Sequence, residues 1–195
     1  MTLDESTPLF DRPNCLDIPD IVDTHAESYV SAYKKLDKDA VQAFVDDESP
    51  GGFRERNTAV WTETIMREAG VYVIRDPVNR KVGGIVAARM IDEGQRQLYV
   101  DGVYLKSRYQ GRGVGSHLFM MALSELPWDI ARLHTTIDTR AVNFFGKFGF
   151  RNTSEHIFHA GPPMKWGIYL AQQEMQVERP NFDAKVADWL RAHHH

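Results

Sequence analysis

Arg108-Tyr109-Gln110-Gly111-Arg112-Gly113-Val114-Gly115-Ser116 is the stretch on which the reading of this chain turns. Three glycines fall at 111, 113 and 115, with Arg108 and Arg112 beside them. Upstream, Leu98 to Leu105 reads as a strand. Downstream, Leu118, Met121, Ala122 and Leu126 recur with helical period until Pro127 closes the helix. Glycines in a strand-to-helix turn allow left-handed backbone and let a ligand touch the main chain. The first N–H groups of the helix have no intrahelical partner and sit at a positive dipole end. The physical reading is a pyrophosphate cradle, against the plainer one of a tight corner. A dinucleotide-binding Gly-x-Gly-x-x-Gly fits badly, because Ser116 takes the place of the third glycine. The phosphate loop of nucleotide hydrolases needs Gly-Lys-Ser/Thr, and no lysine lies between Lys106 and Lys147.

Working outward, Ile21, Val22, His25, Tyr29 and Tyr33 predict a first helix from Ile18 to about Leu36. A second follows Asp39. A third runs from Asn57 to Ala69, with Gly70 as its stop. Val71 to Ile74 and Val82 to Ile91, joined by Asp76-Pro77-Val78-Asn79, predict a hairpin. Gly102, inside the next strand, signals a bulge or a close approach to the backbone. Arg132 to Ile137 reads as a strand. Thr139 to Phe148 reads as a helix with Ala141, Phe144, Phe145 and Phe148 facing inward. Phe150 to Phe158 and Met164 to Leu170 are expected to close the domain as a hairpin around Gly161-Pro162-Pro163. The order is that of a mixed α/β domain.

The 195 residues suit one domain, and 43% hydrophobic with 26% charged residues is ordinary globular composition. The net charge of −4 advertises no basic field, so neither nucleic acid nor an anionic membrane is an expected partner. A lone cysteine, Cys15, forms no intrachain disulfide, and Met1 to Asn14 has no apolar stretch of the signal-peptide kind. No apolar run approaches the ~20 residues that span a bilayer, so a cytoplasmic location is expected. His193 to His195 resemble a purification-tag remnant.

Gln110-x-x-Gly113-x-Gly115 resembles the Arg/Gln-x-x-Gly-x-Gly/Ala signature of the GNAT superfamily of N-acetyltransferases, which binds the pyrophosphate of acetyl-CoA. His25-Ala26-Glu27-Ser28-Tyr29 with Ala32-Tyr33 is similar to a common first-helix pattern of that family. Asp138-x-Arg140-Ala141-x-x-Phe144-Phe145-x-x-x-Gly149-Phe150 is similar to its later Asn-x-Arg-Ala-x-x-Phe-Tyr-x-x-x-Gly-Phe segment. The likeness extends over about residues 14–171. It leaves a lead at 1–13 and a C-terminal extension at 172–195 with a short amphipathic helix. It implies a mixed α/β (α+β) fold, with a central, mostly antiparallel twisted sheet of about six to seven strands flanked by helices.

The resemblance also implies residue roles. Pyrophosphate would rest on Arg108, Gln110, Gly111, Arg112, Gly113, Val114, Gly115 and Ser116. The pantetheine would run beside Val103, Tyr104 and Leu105, with backbone N–H groups around Gly102 free for the thioester carbonyl. Such donors are worth roughly 3–4 kcal/mol each. Asp138 stands where the family often has an asparagine, and Ala141, Phe144 and Phe145 line the same cofactor side. Phe145 replaces the tyrosine assigned as general acid, and phenylalanine has no proton to give. A thiolate of pKa about 8.5 is nonetheless a tolerable leaving group.

Asp101 is the candidate general base, with a backbone-bonded strand carboxylate as the alternative; Tyr104 is a second catalytic candidate. Tyr29, Tyr33, Tyr99 and Asp101 are the expected substrate pocket. No metal is expected: His134, His156 and His159 lack a completing ligand set, and strand alternation separates the last two. The resulting expectation is acetyl transfer from acetyl-CoA to a small-molecule or peptide amine, by direct attack in a ternary complex. An acyl-CoA-binding sensor or interaction module is the alternative, and a phosphate-ligand module unrelated to CoA is a weaker one. The negative charge leans towards a cationic acceptor such as a polyamine, an aminoglycoside or a protein amino terminus. Val186, Trp189 and Leu190 are expected to pack on the domain or on the second subunit of a homodimer.

Overall fold

A computed structural model of the chain describes residues 8–33, 38–67, 70–137, 140–153, 158–160 and 170–193. The fold is mixed α/β, with a mostly antiparallel open sheet and, among the described residues, six α-helices. Strand pairing runs β1-β2-β3-β4-β5-β8-β6, with β7 on β8. The strands are β1 (Leu9–Asp11), β2 (Val71–Arg75), β3 (Val82–Asp92), β4 (Gln97–Leu105), β5 (Ile130–Thr136), β6 (Arg151–Asn152), β7 (Phe158–Ala160) and β8 (Leu170–Glu178). The helices are α1 (Ile18–Ala32), α2 (Lys38–Val45), α3 (Phe53–Met66), α4 (Val114–Ser124), α5 (Arg140–Gly146) and α6 (Arg179–His193). By contacts the chain divides into two compact units, Met1–Ala88 with Gly102–Glu125 and Arg89–Asp101 with Leu126–His195.

In the first unit, β2 and β3 pair antiparallel, Val73 opposite Ile85 and Val71 opposite Ala87. These side chains join Ile18, Ile21 and Val22 of α1 and Trp61 and Ile65 of α3 in one cluster. The apolar positions of α1 repeat every three to four residues, so one stripe can reach the sheet while Asp23 and Glu27 stay exposed. Lying in the lead expected at 1–13, β1 pairs with β2, Phe10 opposite Ile74. A buried ion pair fixes this corner: Arg75 places Nη1 2.6 Å from Asp17 Oδ1 and Nη2 2.9 Å from Asp17 Oδ2, and its Nε donates to Asp11 at 2.8 Å.

In the second unit, β4 runs parallel to β5, Leu98 with Ala131 and Val100 with Leu133. Beyond it β8 pairs antiparallel with β5 from Ile130–Glu178 to Thr136–Gln172. The expected closing segments do pair antiparallel, Phe158 opposite Gln172 and Ala160 opposite Leu170, but with other bounds. Arg151–Asn152 and Phe158–Ala160 both pair with β8, which runs through Leu170–Glu178 rather than ending at Leu170. The boundary expected after Ala171 therefore falls inside a paired strand. The reason is alternation: Met175 and Val177 are buried while Gln172, Glu174 and Gln176 are half-buried, so the run looks polar. The Gly161 to Pro163 turn lies outside the described residues. After Pro180 the expected amphipathic piece is α6, but its anchor is Phe182, fully buried against Trp128 at 5.4 Å between ring centroids. Val186, Trp189 and Leu190 are half-buried, and Trp189 stacks on His193.

Candidate active site

The glycine loop follows β4 and enters α4 within the first unit. Gly111 has φ +75° and Gly113 φ +77°, the left-handed region that glycine alone enters without strain. Gly113 stands at the N-cap of α4 and, having no side chain, gives the first N–H groups of the helix no capping bond. A Cβ added at Gly111 would meet nothing within 4 Å. The donors and the open space suit an anion.

The flanking side chains brace the loop. Gln110 Nε2 donates to the Leu105 carbonyl at 2.9 Å, tying the loop back to the strand end. Tyr109 is buried over Gly83, where a Cβ would lie 2.1 Å from its ring, and its hydroxyl donates to Asp76 at 3.2 Å. Arg108 pairs with the same carboxylate at 3.2 Å, and Arg112 is exposed. The Leu105 N–H reaches Ser28 Oγ at 3.4 Å, a long contact.

The expected close approach at Gly102 has an identified partner. A Cβ there would lie 2.4 Å from the ring of Tyr104, two residues on. Tyr104 in turn packs on the core cluster, with its ring centroid 3.8 Å from His25 and 5.9 Å from Trp61. His25 also faces Phe53 and Tyr29, and accepts from Trp61 Nε1 at 3.3 Å. Tyr29 touches Tyr33, Phe44 and Phe53, and its hydroxyl is buried with no hydrogen-bond partner. These rings form one aromatic wall. Burial lowers His25 to about 4, which keeps it neutral, and burial raises Tyr29 above the usual phenol range.

Tyr99 and Asp101 belong to the second unit. Asp101 pairs with Arg89 at 3.0 Å, and that guanidinium lies 5.4 Å from the centroid of the Tyr99 ring. The Tyr99 hydroxyl is 2.8 Å from His134 Nδ1, and His134 Nε2 is 3.9 Å from Glu174 Oε2. On α5, Phe145 is buried against Phe144 and Phe150 at 5.2 and 5.9 Å, while Ala141 and Phe144 are half-buried. Asp138 lies outside the described residues, as does His156; of His159 only the backbone is described. Among the described residues no group of three or more His, Cys, Asp or Glu side chains is placed to hold a metal ion. Nor, among them, is any helix long and apolar enough to cross a membrane.

The structure thus joins Tyr29, Tyr33 and Tyr104 in one wall, and Tyr99 and Asp101 in one polar face. Sequence reasoning missed His25 and Trp61 as the partners of Tyr104, although His25 was already in the helical stripe. It also missed Glu174, hidden in a run that reads as polar tail.

A strand, a glycine loop with two left-handed residues and a helix start with glycine at its N-cap follow in this order on a mixed sheet. Residues 31–150 match the acetyltransferase (GNAT) family, and the chain belongs to it. Acetyl-CoA fits as the acyl donor of this family. The fold is shared with PaiA N-acetyltransferase from Thermoplasma acidophilum in complex with coenzyme A: TM-score 0.65, 13% identity, 88% of this chain and 99% of that one covered. It is shared also with YncA from Salmonella typhimurium with its cofactor acetyl-CoA, at TM-score 0.60 and 16% identity over 89% and 94% of the two chains. The ribosomal-protein-S18-alanine N-acetyltransferase from Escherichia coli aligns at TM-score 0.59 and 12% identity, over 88% and 94%. No curated protein matches the chain in sequence.

Proposed function

We propose that the protein is an N-acetyltransferase that moves an acetyl group from acetyl-CoA to a primary amine by direct attack within a ternary complex. The observation that carries this reading is the left-handed Gly113, a residue with no side chain, at the N-cap of α4. The loop Gln110 to Ser116, with Arg108 and Arg112, would hold the pyrophosphate, and the backbone N–H groups of Gly102, Val103 and Leu105 would face the thioester carbonyl. The weak Leu105–Ser28 contact leaves that donor available to a carbonyl at little cost. Tyr29 and Tyr33 belong to the acceptor side as a dry wall. Tyr104 serves there through packing, because its ring is held by His25 and Trp61.

An alkyl ammonium must lose roughly 3.4 pKa units' worth of proton affinity to attack at pH 7. Asp101 is the carboxylate nearest in sequence to the thioester donors, engaged by Arg89. With Phe145 buried among phenylalanines, the departing thiolate takes its proton from water. The neighbours named as N-acetyltransferases support the choice of nitrogen as acceptor.

The test is CoA thiol release from acetyl-CoA over spermidine, kanamycin and an alanine-initiated tripeptide, with mass spectrometry of the amine. Turnover of one or more is expected. Tight CoA binding with no acetylated amine would overturn the reading in favour of an acyl-CoA-binding module. Gly113→Val, strained at φ +77°, is expected to weaken CoA binding at least about tenfold by titration calorimetry.

A further inference from the structure

The polar face of the second unit has an internal order that the acetyl-transfer reading does not use. On β4, β5 and β8 the residues Leu98, Val100, Leu133, Thr135, Met175 and Val177 are buried. Strand alternation therefore turns Tyr99, His134 and Glu174 to the opposite side. The register sets His134 directly across from Glu174, and Tyr99 beside Arg132. Tyr99 Oη lies 2.8 Å from His134 Nδ1 and His134 Nε2 lies 3.9 Å from Glu174 Oε2. Glu174 Oε1 is in turn fixed by a 2.7 Å hydrogen bond from Thr153 Oγ1.

In the tautomer with the imidazole proton on Nε2, on the side of the Glu174 carboxylate, Nδ1 accepts the Tyr99 hydroxyl hydrogen. Burial, with the Asp101 charge second, raises the Tyr99 hydroxyl above the ordinary phenol value, so it stays a protonated shuttle. Among the described residues, the other charged groups on this face are Arg89 with Asp101, which pair with each other, Arg132, whose Nε is buried without a hydrogen-bond partner, Arg151, opposite Gln176, and Glu178, at the exposed end of β8.

We propose that Tyr99, His134 and Glu174 form the path by which the acceptor ammonium loses its proton. This rests on the amine-acetylation reading above. The ammonium N–H gives its proton to Tyr99 Oη as the Tyr99 hydroxyl proton passes to His134 Nδ1, leaving an imidazolium facing Glu174. The freed nitrogen electron pair forms the C–N bond to the thioester carbon, and the C–S electron pair leaves with sulfur. Nitrogen then loses its second proton and the thiolate gains one, so the products are the amide, CoA thiol and one proton released to solvent from His134. Tyr99 is the catalytic residue of this path, the one of the three that would meet the acceptor nitrogen. His134 and Glu174 act through it as positioning residues.

The experiment compares the wild type with Tyr99→Phe, His134→Gln, His134→Asn, Glu174→Gln and Glu174→Asp. Each is assayed with the alkyl amine turned over in the panel and with aniline, which is already neutral at pH 7. For the alkyl amine, kcat/KM should fall about 10²- to 10⁴-fold in the Tyr99 and His134 variants. The drop should be smaller in Glu174→Gln and partly restored in Glu174→Asp. The deficit should shrink as pH rises towards the ammonium pKa of about 10.4. Aniline turnover should change less than about tenfold, and CoA affinity should not change. Equal losses on both amines, a deficit independent of pH, or variants as active as the wild type would overturn the path while leaving the acetyltransferase reading intact. A wild type that binds CoA and acetylates none of the amines would overturn both.

Discussion

His25 and His134 are the same side chain in opposite surroundings, and the contrast separates what holds this protein up from what it works with. His25 stands in a wall of rings from α1, α3 and β4, with Tyr104 at 3.8 Å and Phe53 at 5.3 Å, and burial lowers it to about 4. His134 lies on a strand face with a hydroxyl on one ring nitrogen and a carboxylate facing the other. A histidine among rings is an aromatic filler that cannot charge without loss. A histidine between a hydroxyl and a carboxylate has somewhere to take a proton from and somewhere to balance it.

The comparison breaks first at Trp61, 3% exposed and touching both His25 and Tyr104. Trp61→Ala should cost about 3–5 kcal/mol in denaturant unfolding. A loss below about 1 kcal/mol would mean the wall is not core.

The next test is pH. The unfolded chain protonates His25 near 6.5, whereas the folded chain resists until about 4. Between those values the unfolded state binds more protons, so this contribution is whole above about pH 6.5 and declines as pH falls towards 4. Up to about 3 kcal/mol is involved, from 1.4 kcal/mol per pKa unit. His25→Gln should flatten the stability curve of the wild type in that window, and parallel curves would refute the assignment.

Putting polarity into a dry site sharpens the contrast further. Phe145→Tyr restores the family hydroxyl, but at a residue 7% exposed and packed on Phe144 and Phe150. Unless the hydroxyl finds a partner, about 1–3 kcal/mol of stability should be lost, visible as a lower Tm. The smallest effect is expected on the open face. Glu174→Gln should change unfolding free energy by no more than about 0.5 kcal/mol, because this carboxylate is a quarter exposed and replaceable by an amide in its bond from Thr153.

How much of this could be read beforehand depended on whether a residue's role was local. The turn into α4 was legible because its glycines answer to backbone geometry alone: Gly111 and Gly113 are left-handed in place. The α1 stripe was legible from its period, and so was the α5 segment with Phe145 and Phe148 buried. Gly102 was legible as a close approach, but the ring that approaches could be named only from the structure. What escaped was non-local. Leu9–Asp11 is too short to announce a strand before β2 is there to pair with it. In β8 two buried residues, Met175 and Val177, sit among glutamines and glutamates, which period alone reads as surface. Glu174 became a site residue only once the register set it opposite His134.

The late position of β8 in the chain shapes how the protein is made. Strand β5 ends at Thr136, yet its antiparallel partner closes only with Leu170–Glu178. During synthesis β5 therefore waits, one edge unpaired, until some forty further residues have left the ribosome, and β6 and β7 wait for the same strand. Pairings of this sequence separation fold slowly and leave edges exposed meanwhile. Arg132 and His134 give one face of that waiting strand a polar surface, which works against its sticking to neighbouring chains before β8 arrives.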